Sequence, residues 1–132
     1  MVRLADIEDG NYWRHMGMKM VEDDDGNVGV VMELSSNLMQ FYRTIHGGAI
    51  AGLLDACIAT AVNHQISDQE GAATMEMKIN YLRPVSEGRL WGKGKIIHKG
   101  RKIVVGQGEI KDDTGQIVAF GTATFMIYRL PG

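Results

Sequence analysis

Gly48-Ala49-Ile50-Ala51-Gly52-Leu53-Leu54-Asp55-Ala56-Cys57-Ile58-Ala59-Thr60-Ala61-Val62-Asn63-His64-Gln65-Ile66 is the stretch that decides the architecture. Within it Ile50, Leu53, Leu54, Cys57, Ile58, Ala61 and Val62 recur at spacings of three and four, the period of a helical face. The spacing predicts one well-buried helix over 48–66. The apolar part, Ala49 to Val62, is too short to span a bilayer and carries Asp55 in its middle, where a charge is expensive.

Outward from this helix the period changes. Downstream, Met75, Met77, Ile79 and Tyr81 alternate with Glu76, Lys78 and Asn80, as a half-buried strand requires. Further strands are expected near 89–98, 102–111 and 116–128, divided by turn signals at Ser86-Glu87-Gly88, Lys99-Gly100 and Asp112-Asp113-Thr114-Gly115. Such short connections imply antiparallel hairpins. Upstream, 17–22 and 28–34 flank the polar turn Asp23-Asp24-Asp25-Gly26-Asn27 and read as one more hairpin. The first dozen residues suit a short helix. A hairpin, one buried helix and an antiparallel meander make an α+β arrangement, in which a curved sheet wraps one long central helix. Other α+β domains share that order of elements.

The chain has 132 residues and is 45% apolar, which fits a single domain over 1–132. A net charge of -2, without a Lys or Arg run, gives no footprint for nucleic acid, which is not expected as a partner. Asp6, Glu8 and Asp9 occupy a first segment that lacks the apolar region of a signal peptide, and Cys57 has no second cysteine to pair with. A cytoplasmic address is expected, with no membrane partner. His15, His64 and His98 show no spacing with other ligands, so no metal is expected.

Between Arg43 and Asp68 the only formally charged side chain is Asp55. At about 100° per residue it lies beside Gly48, Ala51, Gly52 and Ala59, a face of small residues that a ligand or a second copy of the chain could approach closely. A carboxylate at such a contact loses water and becomes a better base. Structural glue or plain exposure is the competing reading. His46-Gly47-Gly48 stands just before the helix, so the Gly47 and Gly48 N–H groups lack intrahelical partners and point into positive potential. They suit an oxyanion, although a capping turn would look the same.

The segment from His46 to Asp55 resembles the HGG-x6-D motif of hotdog-fold acyl-CoA thioesterases, in particular the phenylacetate-pathway and 4-hydroxybenzoyl-CoA subgroup. Asn80-Tyr81-Leu82-Arg83-Pro84-Val85, Gly88, His98-Lys99-Gly100-Arg101 and Ala119-Phe120-Gly121-Thr122-Ala123 are similar to later segments of that family, so the likeness runs from about 17 to 128. The resemblance implies a hotdog fold and hydrolysis of an aromatic or medium-chain acyl-CoA. Gly47 would be the oxyanion donor and Asp55 the general base or nucleophile. Gln40 would position the thioester or water, Thr74 would hold the water, and His46 would mainly hold the loop. It also implies a homodimer or homotetramer with shared active sites. Coenzyme A enters only as part of the substrate, and no cofactor is expected. Gly48, Arg83, Arg89, His98, Lys99, Gly100 and Arg101 are candidate coenzyme A contacts, the basic turn because Lys and Arg supply charge and Gly exposes backbone N–H groups.

Two rivals share the fold. A hotdog hydratase or dehydratase pairs a catalytic His with an acid, as His46 and Asp55 superficially do. A non-catalytic acyl-CoA-binding module needs neither. The first would turn over enoyl- or hydroxyacyl-CoA without thiol release, and the second would hold an acyl-CoA without hydrolysing it.

Overall fold

The computed structural model describes the backbone of residues 2–132 and the side chains from Leu4 onward. The elements run α1 (Val2–Glu8), α2 (Asn11–Met16), β1 (Met18–Glu22), β2 (Val28–Glu33), α3 (Gly47–Asn63), β3 (Glu70–Tyr81), β4 (Arg89–Lys99), β5 (Ile103–Lys111) and β6 (Ile117–Arg129). One six-stranded sheet, in the order β1-β2-β4-β5-β6-β3, curls around α3. All neighbouring strands are antiparallel. This is the hotdog arrangement that the resemblance implies. The one short helix expected at the start is two, divided at Asp9-Gly10.

One expectation fails at the connection after β3. A meander would pair β3 with β4, but β3 pairs β6 at the far edge and β4 pairs β2. Ser86-Glu87-Gly88 is therefore not a hairpin turn. Leu82 to Gly88 instead crosses the sheet, held where Leu82 N–H donates to Val118 O, Ile45 N–H to Val85 O and Leu34 N–H to Gly88 O. Pro84 favours this course, because the residue before a proline prefers extended backbone to the helical conformation of a tight turn.

Helix α3 is buried on most of its circumference. Leu53, Leu54, Ile58 and Val62 are fully enclosed with Val30, Met32, Leu90, Val104, Ile110, Val118 and Phe125 from the sheet. The close approach depends on glycines: Gly94 is opposite Gly108, and Gly108 opposite Gly121, so a row of glycines crosses β4, β5 and β6 beneath the helix. A Cβ on Gly94 would stand 2.5 Å from the Cys57 carbonyl oxygen and 2.9 Å from Ile58 Cα. One on Gly108 would stand 2.7 Å from a Leu54 methyl carbon.

A bulge in β3 corrects the expected alternation. Thr74 pairs with Phe125 and Glu76 with Thr124, leaving Met75 as the extra residue, 60% exposed. Phe125 is a core residue, so Thr74 faces α3. Past the bulge Met77, opposite buried Ala123, faces α3 as well. A strand of strict period two would have turned one of these two residues outward.

Candidate active site

His46 is the N-cap of α3, and its ring Nδ1 accepts the Gly48 N–H at 2.7 Å. Its carbonyl accepts from Ala49 N–H at 2.9 Å and Ile50 N–H at 3.3 Å. Among the described residues, the Gly47 N–H makes no hydrogen bond. Of the two amides expected to meet an oxyanion, Gly48 is spent on the cap and Gly47 remains, at the positive end of the helix. The Gly47 carbonyl in turn accepts the Tyr81 hydroxyl at 2.8 Å.

Gln40 lies in a tight turn before this helix end. Its N–H donates to Thr44 O at 2.8 Å, and its side-chain amide shares a 2.6 Å hydrogen bond with the Thr44 hydroxyl. Phe41 and Tyr42 at the tip of the turn are 92% and 76% exposed and meet edge to face, so within one protomer they line nothing.

Asp55 is half-buried in the middle of α3, and the bulge in β3 explains its partner: the Thr74 hydroxyl donates to Asp55 Oδ1 at 2.8 Å. The pair would present a carboxylate and a hydroxyl side by side to a water. Asp55 stands eight residues from Gly47, about 12 Å along the axis at 1.5 Å per residue. The structure thus forms two groups, Gly47 with His46 and Tyr81, and Asp55 with Thr74, while Gln40 bonds Thr44 in the turn before the helix. A single thioester carbon cannot sit within bonding reach of both groups of the same protomer.

The small-residue face beside Asp55 is partly covered from within the chain. The Tyr12 hydroxyl and the Met16 methyl carbon of α2 lie over Gly52, leaving Gly48, Ala51 and Ala59 as the part open to a ligand or partner. The sequence pattern could not show this, because α2 is distant along the chain.

The candidate coenzyme A contacts separate into two places. His98 and Lys99 end β4 and Gly100 and Arg101 follow in the turn, whereas Arg89 begins that strand, about 30 Å away at 3.3 Å per residue. Gly100 does not offer its N–H, which donates to Ile103 O at 2.8 Å to close the hairpin. Arg89 stacks over the Trp91 ring at 5.0 Å and pairs with Asp113 at 3.5 Å. The Trp91 indole N–H and then the Arg89 backbone and charge hold the Asp113 carboxyl below its usual range. Arg83 bonds the Gln116 side chain, two residues past Tyr81 and at the Gly47 end of the molecule.

Cys57 is buried against the glycine row, and burial, followed by the nearby Asp55 charge, pushes its thiol up to about 12. It stays a protonated packing residue at neutral pH. Native protein is expected to leave Cys57 unlabelled by a thiol-reactive chromogen, with one equivalent reacting only after denaturation. Rapid labelling of the native fold would contradict this burial.

Thr44 and Tyr81 carry parts of the site that the sequence did not assign. Tyr81 lay inside a segment resembling the family, but the only period visible there was that of a strand. Among the described residues no group of His, Cys, Asp and Glu side chains is placed to hold a metal. No described helix is long and apolar enough to cross a membrane.

The chain is similar to known proteins throughout most of its length. A Bacillus halodurans protein whose structure was solved with CoA superimposes with a TM-score of 0.85 at 28% identity, covering 97% of this chain and 87% of that one. The Escherichia coli PaaI protein from the phenylacetic acid degradation operon gives 0.81 at 24% identity, covering 97% and 90%, a likeness of fold. The medium/long-chain acyl-CoA thioesterase YigI of Escherichia coli is 29% identical over 96 residues, 63% of this chain and 62% of that protein. The sequence model of the thioesterase superfamily matches residues 42–119, from the loop that carries Arg43 through α3 and into β6. With more than half of its length inside that match and its fold shared with both solved structures, this chain belongs to the thioesterase superfamily.

Proposed function

We propose that the protein hydrolyses an acyl-CoA thioester in a homodimer, each site taking Gly47 from one protomer and Asp55 with Thr74 from the other. One observation carries this reading. On a single helix the unused Gly47 N–H and the Thr74-bonded Asp55 lie about 12 Å apart, so each protomer holds two halves of different sites. A two-fold axis crossing α3 between them would bring each half to its complement. Strand β3 supports that pairing: it is the edge next to Asp55, twelve residues long, with its outer side open to a second β3. Two such dimers can associate further.

In the site, the thioester carbonyl oxygen meets the Gly47 N–H, whose position at the helix N-terminus favours developing negative charge. The Thr74 hydroxyl and Asp55 hold a water. Asp55 takes its proton as oxygen bonds to the acyl carbon, and collapse of the tetrahedral intermediate breaks the C–S bond and releases coenzyme A thiolate. Direct attack by Asp55 to give an anhydride uses the same residues, and heavy-oxygen water in a single turnover distinguishes the two routes by labelling Asp55 only in the second. His46 has its Nδ1 committed to capping, which fits a loop-holding role rather than that of a dehydratase base.

The acyl group we propose is aromatic or medium-chain, as in the phenylacetate-pathway and 4-hydroxybenzoyl-CoA subgroup. The name of the YigI relative supports the medium-chain class. Arg83, two residues past the Tyr81 that bonds Gly47, is a cation suited to a coenzyme A phosphate.

The test is complementation. Gly47→Pro removes the N–H at the first helical position, where proline fits, and His46 already has the extended backbone that a following proline needs, at φ -64° and ψ 136°. Gly47→Pro and Asp55→Asn should each be nearly inactive. Mixed and re-paired at random, they should regain about one quarter of wild-type thiol release, since half the dimers are hybrids with one intact site each. No recovery from well-exchanged mixtures would show that the halves are not shared. No thiol release by the wild type from any aromatic or aliphatic acyl-CoA would overturn the thioesterase reading itself.

A further inference from the structure

We infer that Tyr81 is a positioning residue for the oxyanion donor, acting through the Gly47–Gly48 peptide; this rests on the thioesterase reading above. Gly47 has no side chain, and glycine backbone is soft, so the direction of its N–H must be fixed from outside. Two planar peptide units flank its Cα. The first, His46–Gly47, is held at its carbonyl, which accepts from Ala49 and Ile50. The second, Gly47–Gly48, is held at both ends: its N–H donates to His46 Nδ1 at 2.7 Å and its carbonyl accepts the Tyr81 hydroxyl at 2.8 Å.

Tyr81 suits this role because it is itself fixed. It is the last residue of β3, paired with Ala119 of β6, and the Leu82 N–H that follows donates to Val118 O. Its ring covers the open side of Gly47, where an added Cβ would meet ring carbons at 3.5 Å. The sheet edge thereby sets the angle of an amide on the first turn of α3. Without that hydroxyl the Gly47 carbonyl loses its tie to the sheet, and the second peptide unit is held only from within its own helix end.

Electrostatic stabilisation depends on donors held in place before charge develops, and small displacements of them are costly. Tyr81→Phe keeps the ring and removes only the hydroxyl. It should lower kcat about tenfold with little change in KM, and leave thermal melting near that of the wild type. The carbonyl stretch of an acyl-CoA bound to the Asp55→Asn protein should move back toward its solution frequency when Tyr81→Phe is added. The deciding measurement is a double-mutant cycle with Gly47→Pro. If Tyr81 acts through the Gly47 N–H, Tyr81→Phe should change the residual rate of the Gly47→Pro protein less than twofold. The inference is overturned if wild-type protein hydrolyses acyl-CoA while Tyr81→Phe retains full kcat, or if its tenfold loss persists undiminished in the Gly47→Pro background. A wild-type protein that releases no thiol counts instead against the thioesterase reading.

Discussion

Asp55→Asn should lower kcat for thiol release by about 10³ or more, with the fold and the dimer unchanged. Asparagine matches aspartate in shape, and its amide oxygen can still accept the Thr74 hydroxyl that now binds Asp55 Oδ1 at 2.8 Å. What the amide cannot do is take the proton from water or attack a thioester, so both hydrolytic routes lose their central group. Substrate binding by the Gly47 half of the site should persist, with KM changing far less than kcat. The residual rate should come from the oxyanion donor and from proximity alone. Thiol release followed with a chromogenic reagent, which buried Cys57 does not consume, makes the comparison direct. If the variant kept kcat within tenfold of the wild type, Asp55 would be the structural partner of Thr74 and the base would have to be sought elsewhere.

Gly94→Val should cost more than the about 1–3 kcal/mol typical of overpacking, a large share of the total stability of only about 5–15 kcal/mol that such domains have, and should sharply lower the urea midpoint. The reason is distance. The first added carbon would lie 2.5 Å from the Cys57 carbonyl oxygen and 2.9 Å from Ile58 Cα, backbone atoms of the central helix that cannot rotate aside. Raising α3 to make room would unseat it from Gly108 and Gly121 as well, since these three glycines are in register across β4, β5 and β6. Urea unfolding of Gly94→Ala, which adds only the first carbon, should already show a loss of about 2–3 kcal/mol. Wild-type stability in Gly94→Ala would mean that α3 rises over an added methyl group without cost.

The glycine row shows where sequence reading stopped. Gly94, Gly108 and Gly121 lie inside the expected strands, but strand periodicity does not mark them as the helix seat, because the helix they accommodate is more than thirty positions earlier in the chain. The bulge at Met75 was hidden for a related reason: Met75, Met77 and Ile79 kept a clean alternation, and only pairing with β6 showed that one residue is extra. The crossing after β3 was misread as a hairpin because Ser86-Glu87-Gly88 has turn composition whether or not the chain reverses there.

The sequence by itself determined that one apolar helix with a single mid-helix acid lies against an antiparallel sheet, and that a His-Gly-Gly turn opens that helix. These are local facts, written in the 3.6- and 2-residue periods and in the lack of charge around Asp55. Only the tertiary structure decided that Gly47 rather than Gly48 keeps a free amide and that Thr74 reaches Asp55 through a bulge. It also decided that the Tyr81 hydroxyl bonds the Gly47 carbonyl at the helix end from the last residue of a distant strand. The Thr74 and Tyr81 contacts depend on which residues meet across the sheet, and a chain's local periods do not record the register in which its strands finally pair.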